Sequence, residues 1–79
     1  MNTKIFKKAY DEMIRLQDSE RLFKKSGLTI CEYEIVYNIM KNINDGKEYN
    51  PTISEKVANW FSKHKFEVKP EGIGWVIGL

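Results

Sequence analysis

Cys31 and His64 are the chain's single cysteine and single histidine, so together they bound its thiol and metal chemistry. Cys31 falls where a helix begins, a position whose dipole favours a reactive thiolate. The adjacent Glu32 opposes that effect, and no second cysteine exists to resolve an oxidised form. As zinc ligands the pair would supply half of a typical tetrahedral set, leaving carboxylates such as Glu32 or Glu67 to complete it. No metal site, cofactor or catalytic residue is assigned on this basis. The run Gly72-Ile73-Gly74-Trp75-Val76-Ile77-Gly78 is one residue out of step with a dinucleotide fingerprint, and it opens no helix to hold a pyrophosphate. No acid–base pair or nucleophile with a base stands at a useful spacing, so enzymatic activity is not expected.

Lys56, Asn59 and Lys63 form a second constellation, spaced three and four apart and therefore on one face of a helix. Lysine contacts phosphate and asparagine can pair bidentately with adenine, so this face is a candidate DNA-reading surface. The order helix, helix, helix, hairpin is also that of a winged-helix DNA-binding domain. Against it stand a connection of about nine residues before the last helix, longer than a tight helix-turn-helix allows, and Glu71 at the wing tip. Arginine, the commonest base reader, is absent from the region.

The elements that hold these residues are legible from periodicity and caps. Residues 3 to 25 read as a helix with Ile5, Phe6, Ala9, Tyr10, Met13 and Leu16 on its apolar side, and with a bend or second short helix allowed at Asp18-Ser19-Glu20. LTICE at 28 to 32 and PTISE at 51 to 55 each place threonine three residues before glutamate, the pattern of a capping box. Helices are therefore expected to begin near Ile30 and Ile53. The first, with Ile30, Tyr33, Val36, Tyr37, Met40 and Ile43 on one side and Ile35 and Ile39 widening it, reads as the central, most buried helix. The second runs to about Lys65 with Ile53, Val57, Trp60, Phe61 and His64 on its apolar stripe.

From Phe66 onward the period becomes two. Phe66 and Val68 on one side of Lys69-Pro70-Glu71-Gly72 match Trp75, Ile77 and Leu79 on the other, which predicts a β-hairpin turning through a type I turn at Pro70. Two strands alone are marginal in water, so their bulky face should pack on the helices. The expected architecture is α+β, three helices on a C-terminal two-stranded antiparallel hairpin, with residues 1–79 forming one domain. Gly74, Val76 and Gly78 then face away from the core, and with Tyr49 they are candidate partner-binding residues along an open sheet edge, for a protein partner or for self-association.

Composition narrows the class. With 79 residues, 42% hydrophobic and 30% charged, the chain reads as an ordinary small globular domain, and its net charge of +2 is too small to announce nucleic acid or a membrane as partner. A lone cysteine rules out an internal disulfide, and no stretch approaches the run of about 18 apolar residues of a membrane span, so a reducing, cytoplasmic location is expected. Lysine, isoleucine and asparagine are abundant and arginine is scarce, as in AT-rich genomes of low-GC bacteria and their phages. These observations favour a non-enzymatic protein-binding module, of the kind a phage or mobile element uses to inhibit a host or defence enzyme by occlusion, as anti-CRISPR proteins do. Winged-helix DNA binding through Lys56, Asn59 and Lys63 is the alternative.

Overall fold

Ser19 decides the shape of the N-terminal half. The computed structural model describes residues 3–78, and in it α1 (Thr3–Asp18) stops where Ser19 adopts an extended backbone, φ −132° and ψ 109°. The Ser19 hydroxyl accepts from the Leu22 N–H at 3.3 Å and starts a separate helix, α2 (Glu20–Ser26). The described residues thus form four helices where three were expected, because a serine between two charged residues caps a new helix better than it continues the old one. Gly27, at φ +78°, closes α2 in the left-handed conformation that glycine takes without cost.

α3 (Ile30–Asn44) begins at the predicted capping box: the Glu32 N–H donates to Thr29 Oγ1 at 3.2 Å and the Thr29 N–H donates to Glu32 Oε1 at 2.8 Å. The second box does not form. Ile53 is drawn into extended pairing with Trp75, donating to its carbonyl at 2.7 Å and accepting from its N–H at 3.0 Å. Residues 52–54 therefore stay extended, and α4 (Glu55–Lys63) starts later, capped by the Ser54 hydroxyl, which accepts from the Val57 N–H at 3.3 Å.

α4, and not α3, is the most buried helix. Val57, Ala58, Trp60 and Phe61 are buried within its nine residues, whereas α3 buries Val36, Ile39 and Met40 within fifteen. The reason is position: α4 packs on α3 and on both strands. Ile30 and Ile35, read as part of the buried stripe of α3, are exposed, Ile30 by 71%. Met13, Val36, Met40, Val57 and Phe61 lie in a single core cluster that reaches from α1 to the hairpin.

α4 ends in a Schellman motif. The Lys65 N–H donates to the Ser62 carbonyl at 3.0 Å and the Phe66 N–H to the Phe61 carbonyl at 2.9 Å, while the Phe61 and Phe66 rings meet edge-on at 5.2 Å. The left-handed residue of the motif is Lys65, at φ +72°, where glycine is usual.

β1 (Glu67–Glu71) and β2 (Gly74–Gly78) form the antiparallel hairpin. Its turn is not at Pro70, which lies inside β1 opposite Trp75. The two-residue loop is Gly72-Ile73, and positive φ at Gly72 alone gives a type II′ turn, whose twist suits a tight hairpin. Proline is tolerated because Pro70–Trp75 is a non-hydrogen-bonded pair: Trp75 spends its N–H and C=O on Ile53, on the other side. As expected, Phe66 and Ile77 are buried and Val68 and Trp75 half-buried on the helix-facing side. Leu79, expected to share that side, lies outside the described residues. Among the described residues no helix is long and apolar enough to cross a membrane.

Candidate functional site

The outer edge of β2 is closed by the chain itself. Beyond the Ile53–Trp75 pairing, the Asn50 side chain acts as a further strand residue: its Nδ2 donates to the Ile77 carbonyl at 2.8 Å and its Oδ1 accepts from the Ile77 N–H at 3.3 Å. Gly74 is buried, and a Cβ there would overlap Thr52 Cγ2 and come within 3.0 Å of the Ile53 carbonyl oxygen. A backbone does approach Gly74 closely, and it is the protein's own. At Gly78 the Glu67 side chain fills the corresponding space, and Val76 is half-buried beside them. Gly74, Val76 and Gly78 thus form no open edge on this side. Tyr49, 40% exposed, precedes Asn50 in the loop that seals it. On β1 the outward main-chain groups belong to Val68 and Pro70, and proline has no N–H to offer.

Lys56, Asn59 and Lys63 do share one exposed face of α4, and that face is one wall of a cleft of about 410 Å³. The opposite wall is built by Glu12 of α1 and by Lys25 and Ser26 at the end of α2. Leu16, Leu22, Leu28 and Trp60 contribute apolar lining. The break at Ser19 makes this geometry, since an uninterrupted helix over residues 3 to 25 could not turn its last residues toward α4. A recognition helix must protrude to enter the major groove; here the lysine–asparagine face, although exposed, also forms one wall of a cleft. Lys25 and Ser26 were missed in sequence because their role reads locally as a cationic helix end.

The charges in the cleft are partly committed. Lys56 pairs with Glu32 at 3.6 Å, and Glu12 pairs with Arg15 at 3.5 Å. Glu32 titrates below the ordinary glutamate range, first because the Thr29 N–H donates to its carboxylate, with the Thr29 hydroxyl and Lys56 adding to the effect and partial desolvation opposing it. Among the described residues Lys25 and Lys63 have no carboxylate partner within ion-pair distance.

Lys63 also borders a second groove, of about 270 Å³, between the start of α1 and the end of α4. Its lining includes Lys4, Lys8, His64 and Lys65. His64 is held rigidly: Nδ1 lies 2.8 Å from the Trp60 carbonyl, a geometry in which the Nδ1 proton is donated, and the imidazole lies over the Trp60 ring at 4.1 Å. Cys31 is exposed at the first turn of α3, and no group of three or more potential metal ligands occurs among the described residues.

No protein-family model matches the chain, and no curated protein and no solved structure is significantly similar to it.

Proposed function

We propose that the protein is a non-enzymatic protein-binding module whose docking site is the cleft between α4 and the α1–α2 corner, not the hairpin edge. The observation that carries this reading is the pairing of an apolar lining, Leu16, Leu22, Leu28 and Trp60, with a rim of Lys25, Lys56, Asn59 and Lys63. Such a groove takes the side chains of a partner segment, with the apolar part supplying affinity and the rim charges supplying register. Action by occlusion follows naturally, since a bound partner segment is simply withdrawn from other contacts.

A nucleic-acid partner is the second reading, favoured by the exposed Lys56, Asn59 and Lys63 on one helix face. One experiment separates the two. Tagged wild-type protein and the variant Asn59→Trp, which fills the cleft from an exposed position, are used to capture partners from a bacterial lysate with and without nuclease. The proposal expects a protein retained by wild type after nuclease and lost with Asn59→Trp. Retention of that protein by both moves the site away from the cleft, and material lost entirely on nuclease treatment replaces the proposal with nucleic-acid binding.

A further inference from the structure

We infer that the second groove is an anion subsite continuous with the cleft, and that the partner segment is an acidic amphipathic peptide whose carboxylates run from the cleft onto Lys8, Lys63 and Lys65. The inference rests on the cleft being the docking site. Lys63 lines both cavities, so an extended or helical segment lying in the cleft is led past it into the groove. The charge distribution is asymmetric. The two cavities are lined by six of the 13 basic residues but by one of the 11 acidic ones, Glu12, although the chain as a whole is nearly balanced. Several ammonium groups brought into one groove repel each other, and a bound anion relieves that repulsion.

Lys65 adds an independent observation. It occupies the left-handed position of the Schellman motif at φ +72°, where a side chain is strained and glycine is the relaxed choice. Backbone strain of this sort clusters at functional positions, and here it sets a lysine at the mouth of the groove. The apolar lining selects a peptide over nucleic acid: Trp60 is 7% exposed, with its ring held against Phe61 and His64, so it cannot serve as a stacking platform for a base. Leu22, the half-buried member of the apolar lining, can receive an apolar side chain from a segment that carries both leucines and carboxylates.

The test uses fluorescence anisotropy with three probes: a peptide with leucines at helical spacing and glutamates at both ends, the same peptide with glutamines at both ends, and duplex DNA. Wild-type protein should bind the glutamate peptide several-fold tighter than the glutamine peptide, with the preference fading as salt is raised. Lys65→Gly should reduce that preference by about two- to fivefold, the range of an exposed ion pair, while raising Tm by a few degrees as the strain is removed. Lys8→Ala, on an exposed helix face, should lose preference by the same range without the gain in Tm. Equal binding of the two peptides, or a preference untouched by both variants, overturns the anion subsite and leaves the cleft proposal standing. Failure of both peptides to bind overturns both, and tighter binding of DNA than of either peptide replaces the peptide with a nucleic acid.

Discussion

The outer edge of β2 and the exposed face of α4 are both rows of polar groups, yet the protein treats them in opposite ways. Along β2, each outward main-chain group of Trp75 and Ile77 has a partner from residues 50–53. An edge left open is a template for unwanted strand pairing, and this one is shut by a backbone bridge and a side-chain amide. Along α4, Asn59 and Lys63 line a cleft with no side-chain partner among the described residues, and Lys56 meets Glu32 only at 3.6 Å. Polar groups consumed by the fold stabilise it, while polar groups left to solvent around an apolar cleft are free for recognition. On the proposed reading the hairpin is scaffold, and α4 presents the docking surface.

This contrast can be broken experimentally, and the largest effect is expected at Gly74. Gly74→Val should destabilise the fold by about 1–3 kcal/mol or more in urea unfolding, because no space exists beside Thr52 and Ile53. Gly78→Ala, whose new Cβ would meet only the Glu67 side chain at ordinary contact distance, should cost far less. Equal costs would mean that β2 is not sealed where the structure seals it.

Asn50→Ala comes next. Losing both hydrogen bonds to Ile77 should cost about 1–2 kcal/mol, and the freed edge should raise self-association, read by sedimentation velocity. A variant that is weakened but strictly monomeric would separate the stabilising role of Asn50 from its edge-protecting one.

The two helix starts give a smaller and sharper comparison. Thr29→Ala removes a working cap and should cost about 1 kcal/mol, whereas Thr52→Ala should cost less, since Ser54 does the capping. The same box carries a pH signature. Because the folded protein holds Glu32 below its ordinary pKa, the stabilisation is complete above the ordinary glutamate range and is lost as pH falls through the lowered folded value. The stability gap between wild type and Glu32→Gln should therefore close on acidification, and a gap that widened would contradict the cap.

Smallest in stability, and largest in function, is Lys63→Glu. Lys63 is exposed at the junction of the two cavities, so reversing its charge should move unfolding free energy by no more than about 0.5 kcal/mol. Partner binding should nevertheless be lost. Normal binding by this variant would remove the lysine rim from the interaction.

What was legible in the sequence was what is local. The Thr29 capping box, the helical face shared by Lys56, Asn59 and Lys63, and the period-two alternation around the hairpin all follow from neighbours within a few residues, and each is present in the structure. What was not legible depends on distant pairing. Thr52 has the same spacing to its glutamate as Thr29, but Trp75 claims the backbone of Ile53 and moves the cap to Ser54. The Pro70 turn failed for a similar reason: its ring is compatible with a strand only because Trp75 hydrogen-bonds elsewhere. The cleft itself required knowing that Ser19 re-aims Lys25 and Ser26 toward α4, which no local pattern shows.

The most direct test of the cleft as the docking site is a ¹⁵N NMR titration of the protein with the glutamate-ended leucine peptide. Amide resonances of Leu22, Lys25, Lys56, Asn59 and Lys63, and the indole N–H of Trp60, should shift together while those of Val68 and Lys69 stay fixed. Shifts confined to β1 and the Ile73 hairpin tip, with the α4 face unmoved, would contradict it and return recognition to the sheet.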